Sequence, residues 1–178
     1  MQKQFENKLQ VLKHDFDKLI VTVESLSHEN LNMPMRQGKW SIAQTIYHVN
    51  LSFAGTIAYI SKKIQYPDSL EEKKIAAWFR SVWLTMVLRS AFKVKAPEGV
   101  NKVPENISFH ELKNQWNMHY RNLEILLENF PPALTNKNVF KNPLAGRITM
   151  YQTLSFLHEH TLHHIRQVEQ YMKKKIAA

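Results

Sequence analysis

Apolar residues recur every three or four positions along most of the chain, the period of a helix with one buried stripe. Over residues 2–26 they fall at Phe5, Leu9, Leu12, Phe16, Leu19, Ile20 and Val23 with charges between them, which predicts a first amphipathic helix. Pro34 and Gly38 mark residues 27–39 as a connection. A second helix is predicted from Ser41, where Ser41-Ile42-Ala43-Gln44 has the form of a capping box, to the break at Pro67. Its stripe is Ile42, Ile46, Val49, Phe53, Ile57, Ile60 and Ile64. The opposite side is also apolar or small, at Tyr47, Leu51, Ala54, Gly55 and Ala58. A helix of that kind belongs at the centre of a bundle. Residues 69–92 predict a further helical segment whose aromatics Trp78, Phe79 and Trp83 read as packing. Residues 93–108, with Pro97, Gly99 and Pro104, form a loop long enough to be a candidate pocket wall. Ser108 and Glu111 make a second capping box that opens a helix to Asn129, stopped by Pro131-Pro132. The turn residues Asn142-Pro143-Leu144-Ala145-Gly146 lead into a last helix over 149–174, with Met150, Leu154, Leu157, Thr161, Ile165, Val168 and Met172 on its stripe.

Composition narrows this to an all-α domain. Four glycines in 178 residues, no strand alternation and no internal repeat fit a single bundle spanning 1–178. The absence of cysteine excludes disulfides, thiolate metal sites and a cysteine nucleophile, and agrees with a cytoplasmic location. The N-terminus lacks the apolar core of a signal peptide. Residues 41–61 carry no Asp, Glu, Lys or Arg, yet Gln44, His48, Asn50, Ser52 and Thr56 make them a bundle helix and not a membrane span. The net charge of +9 is spread along the chain without a nucleic-acid motif, so it reads as a solvated basic surface and not as a nucleic-acid interface.

The candidate chemistry lies in the last helix, where His158, His160, His163 and His164 crowd into one stretch. At about 100° per residue, His160 and His164 share a face one turn apart, together with Thr153, Gln167 and Tyr171. His158 falls on the other edge of the apolar stripe, and His163 points away. On spacing alone the pair reads more readily as two hydrogen-bonded core residues or a partly exposed polar edge than as a metal site. His48 alone likewise reads as a buried histidine with a partner; beside His160 and His164, a three-histidine metal site becomes the better account. His14, between Lys13 and Asp15, is expected on the surface, as are His110 and His119, which are in register with no histidine pair.

Three stretches resemble the DinB/YfiT-like superfamily of metal-dependent four-helix bundles. They are Gly38-Lys39-Trp40-Ser41-Ile42-Ala43-Gln44 with His48 eight residues after the tryptophan, the Asn142–Gly146 turn, and His160-x-x-His163-His164-x-x-Gln167. The resemblance implies an up-and-down bundle with a long crossover, frequently a homodimer. It also implies a divalent metal held by His48, His160 and His164. Some relatives are S-transferases using low-molecular-weight thiols.

The leading expectation is therefore an S-transferase: zinc or nickel activates a low-molecular-weight thiol, which attacks a small-molecule electrophile. The alternative is a metal-dependent hydrolase, which needs a carboxylate base near the metal; Glu159 adjoins a ligand in sequence but points elsewhere on the helix. A third reading is a non-catalytic binding module that retains the metal site. Gln167 is a candidate second-shell partner, equally readable as core-edge packing, and Trp40 and Tyr171 are candidate cavity walls. No catalytic side chain is identified.

Overall fold

The computed structural model describes residues 1–72 and 102–176. Four long helices carry the fold: α1 (Lys3–Glu24), α3 (Ile42–Lys63), α4 (Phe109–Glu128) and α5 (Met150–Ile176), with a short α2 (His28–Asn32) inside the first connection. The predicted stripes are what the bundle buries. All seven α1 positions from Phe5 to Val23 are buried, and α3 buries Ile42, Ile46, Val49, Phe53 and Ile60. Each such side chain contributes about 1.5–3 kcal/mol. At the centre Trp116 of α4 stacks on Phe16 of α1, with ring centroids 3.6 Å apart, and meets Phe53 of α3 edge-on. Its indole N–H donates to Asp17 at 3.2 Å, so the donor that this ring carries into the core has a partner.

Contacts between helices fix their directions. Phe5 meets Phe130 while Lys113 pairs with Glu24, so α1 and α4 are antiparallel. Lys8 lies over Tyr151 and His158 bonds Asp15, so α1 and α5 are parallel. The Asn50 amide donates to the Leu112 carbonyl and Phe53 meets Trp116, so α3 and α4 are parallel. His48 meets His160 and His164, while Tyr59 reaches Phe140, which stacks on Phe156; α3 and α5 are antiparallel. The chain thus runs up, down, down, up, and the long crossover falls between α3 and α4. Among the described residues, no helix is long and apolar enough to cross a membrane.

The connection before α5 is more than a turn. Strand β1 (Asn138–Asn142) pairs antiparallel with β2 (Gly146–Thr149). The Asn142 side-chain oxygen accepts from the Leu144 and Ala145 backbone N–H groups, both at 2.9 Å, and Gly146 takes the left-handed conformation that closes the hairpin. The backbone N–H of Asn138 donates to the Glu71 carbonyl, which pins residues 71–72 to the hairpin. The helix expected from residue 69 therefore does not begin there: a 3-10 turn at Pro67–Ser69 gives way to extended backbone. The rest of that segment, with Trp78, Phe79 and Trp83, lies outside the described residues. The second side of α3 is also less covered than its composition implied, since Gly55 and Ala58 are exposed. Such small residues carry too little apolar area to require burial.

Trp116→Ala removes the stack that joins three helices and is expected to cost about 3–5 kcal/mol. Denaturant unfolding followed by circular dichroism measures this; a loss near zero would show that the stack is not part of the core.

Candidate metal centre

Two helix starts set the site. Ser41 caps α3 through a complete box: its hydroxyl accepts from the Gln44 N–H at 3.1 Å, and its own N–H donates to the Gln44 side chain at 3.0 Å. At the head of α5, Thr149 and Gln152 bond reciprocally, with the Thr149 N–H donating to the Gln152 side chain at 3.0 Å. Fixed starts fix the height of His48 on α3 and of His160 and His164 on α5. Gly38, in the left-handed conformation, turns the chain into Trp40, whose ring lies 4.9 Å from that of His48. On the other side Phe156 stacks on His160 at 5.6 Å, backed by Phe140 of the hairpin. The second cap at Ser108 is only half a box: its hydroxyl accepts from the Glu111 N–H, but the Glu111 carboxylate turns to Gln115.

The three histidines meet as their spacing predicted. The Nε2 atom of His160 lies 3.2 Å from Nε2 of His48 and 3.2 Å from Nε2 of His164. All three residues are buried, at 9% exposure or less. Burial pushes the His160 imidazolium well below its usual range, aided by His164 and His48, and pushes His164 down to about 3. Both rings are therefore neutral near pH 7. A neutral Nε2 offers one hydrogen or one lone pair, so His160 cannot form a good hydrogen bond to both neighbours with the same proton. A shared cation satisfies all three nitrogens. Two zinc–imidazole bonds of about 2.0–2.1 Å at a tetrahedral angle separate their nitrogens by about 3.3 Å, which the observed spacing matches. Among the described residues these three histidines are the group of metal-ligating side chains close enough to hold one ion.

Around the trio, the Nδ1 atom of His164 lies 3.0 Å from the Gln167 side-chain oxygen. The Gln167 amide nitrogen lies 2.8 Å from Nε2 of His163. Gln167 thus bridges His164 and His163. Nδ1 of His160 has no hydrogen-bond partner. Tyr171 packs half-buried against the core. Two shallow surface depressions, one at His110 and Asn114 and one at Ile57 and Leu126, include none of the trio.

Other placements differ from expectation. His119 is half-buried, and that burial lowers its pKa; the α4 pattern of single residues could not show it. His158 turns to α1 and bonds Asp15 at 2.8 Å, a partner that only the fold reveals. Glu159 is buried, at 5% exposure, though it lies outside the trio. Of the loop expected as a pocket wall, Pro104 accepts from the Gln44 side chain and Ile107 exchanges two hydrogen bonds with Asn32. Residues 93–101 lie outside the described residues.

The metal-free protein should lose stability on acidification. Unfolding returns His164 to a pKa near 6.5, so below that pH the unfolded state binds a proton that the folded state refuses until about pH 3. Each pH unit across that window costs about 1.4 kcal/mol for this residue. Melting temperatures of chelator-treated protein between pH 7 and 5 should fall less steeply in His164→Gln than in the parent. Equal slopes would contradict a buried neutral His164.

No curated protein matches the sequence. Two solved structures share the fold. A four-helix bundle protein, TT2238, has TM-score 0.60 at 15% identity, over 93% of this chain and 98% of that one. YfiT from Bacillus subtilis, described as "a probable metal-dependent hydrolase with an unusual four-helix bundle topology", has TM-score 0.54 at 17% identity, over 98% of this chain and 90% of that one. The sequence itself matches the DinB superfamily over residues 12–168, a span that contains the capped start of α3, the hairpin and all three converging histidines. With that match, the chain belongs to the DinB superfamily.

Proposed function

We propose that the protein is a divalent-metal-dependent enzyme in which His48, His160 and His164 hold zinc or nickel, and that it joins a low-molecular-weight thiol to a small electrophile. The observation that carries the reading is the convergence of three buried Nε2 atoms with a spacing that suits a tetrahedral ion. A divalent ion there lowers the pKa of a thiol or water brought to it. Three uncharged imidazoles leave that ion's charge uncompensated, which favours an anionic ligand such as a thiolate. In the transfer, a carbon–sulfur bond forms, the bond from carbon to its leaving group breaks, and the thiol proton passes to solvent. Trp40 and Phe156 flank the histidines with aromatic surface, which favours apolar parts of a small-molecule substrate.

The reading over hydrolysis rests on the donor set. The cluster contains no carboxylate, and hydrolysis calls for a base to take a proton from water. The fold shared with YfiT, described as a probable metal-dependent hydrolase, favours hydrolysis as the second reading.

Two measurements test this. His48→Ala, His160→Ala and His164→Ala should each bind far less zinc or nickel than the parent in elemental analysis of tag-free protein, whereas His163→Ala should keep its metal; equal loss in all four would mean a different ligand set. A panel of small thiols with a chromogenic electrophile should give turnover with metal-loaded parent and none with His160→Ala. Thiol-independent ester or amide hydrolysis, abolished by the same substitution, would replace the transferase with the hydrolase.

A further inference from the structure

We infer that Gln167 is a positioning residue: its amide selects the His164 tautomer that turns a lone pair toward His48 and His160, while the other end of the amide bonds His163. This deepens the metal-site reading above and rests on it.

The argument is one of donors and acceptors. A neutral imidazole carries its hydrogen on either Nδ1 or Nε2. The Gln167 oxygen, 3.0 Å from Nδ1 of His164, can only accept, so that hydrogen sits on Nδ1. Nε2 of His164, 3.2 Å from Nε2 of His160, is then a lone pair. At the other end the Gln167 amide nitrogen can only donate, so Nε2 of His163, 2.8 Å away, accepts. With the amide reversed, an N–H would face Nδ1 of His164 and drive the ring hydrogen onto Nε2, into the space where the three nitrogens meet. That hydrogen would exclude a cation. One amide orientation thus decides whether the trio is complete.

The spacing suits the task. Gln167 lies three residues after His164 and four after His163, so both rings sit one helical turn back on adjoining faces. Asparagine, one methylene shorter, would reach less far. The contrast with His160 sharpens the assignment, because its Nδ1 has no partner. For His164, the side-chain contact with Gln167 sets the tautomer.

The experiment uses tag-free full-length protein with two readouts. Zinc affinity is measured by competition with a chromogenic chelator. The imidazole tautomers of the metal-free protein are read by nitrogen-15 NMR. Gln167→Leu should weaken zinc binding about 10–100-fold, the range for lost outer-shell partners, and should lose the Nδ1–H signature of His164. Gln167→Glu keeps an acceptor for Nδ1–H and should restore both, while His163→Ala should stay within a few-fold of the parent. Gln167→Leu binding zinc as tightly as the parent, with His164→Ala still abolishing binding, would overturn the role of Gln167. A parent that binds no zinc would instead remove the metal reading, and the NMR tautomer would still judge Gln167 by itself.

Discussion

Three imidazoles meeting nitrogen to nitrogen inside a helical bundle are the constraint around which this structure is arranged. Burying a polar group without a partner costs on the order of 1–3 kcal/mol, and this cluster buries three nitrogens that no single protonation pattern can satisfy. Such an arrangement persists only where the surrounding packing holds it. Here the packing comes from two sides. Trp40 closes on His48 from the turn before α3, and Phe156 stacks on His160 with Phe140 of the hairpin behind it.

The topology divides the work between the helices. His48 lies on α3 and the other two histidines on α5, its antiparallel neighbour, so opposite ends of the sequence meet at one level. At about 1.5 Å per residue, a slip of one helical turn would separate the nitrogens beyond any shared ion. The reciprocal bonds at Ser41 with Gln44 and at Thr149 with Gln152 hold both helix starts against that slip. On the other side, α1 and α4 brace the bundle through the Phe16–Trp116 stack. The bracing helices also take the polar outliers: Asp15 bonds His158, and Asp17 accepts from Trp116.

Much of this was legible in the sequence because helical geometry is local. The spacing of Phe5, Leu9 and Leu12, the box at Ser41 and the one-turn separation of His160 and His164 need only a 3.6-residue period. What escaped depends on partners distant in the chain. The strands Asn138–Asn142 and Gly146–Thr149 are too short to show alternation, and their pairing follows from the Asn142 turn and the fastening of Asn138 to Glu71. The extended backbone at Glu71 and Glu72 follows from the same hairpin, overriding a segment that reads as helical. Glu111 had the right spacing to complete a cap and bonded Gln115 instead, a choice between near-equal polar partners that spacing cannot decide. His119 is half-buried and Glu159 buried by neighbours that a single helix pattern does not reveal.

Fold and reaction are separate inferences in this superfamily, because a bundle that holds an ion does not choose what the ion acts on. The choice lies with groups that can donate or accept a proton beside the trio. Trp40 and Phe156 contact His48 and His160 from outside the cluster and take up no proton near neutral pH, whereas the His163 ring meets His164 edge-on with centroids 5.1 Å apart. Gln167, bonded to His164, is an amide and does not titrate. A reaction that demands proton abstraction at each turnover would need a group such as the His163 imidazole, one ring removed from the trio. A thiol whose acidity is raised by a divalent ion can release its proton to solvent before it reacts. The proposed transfer would thus place a smaller demand on the side chains around the trio than hydrolysis would.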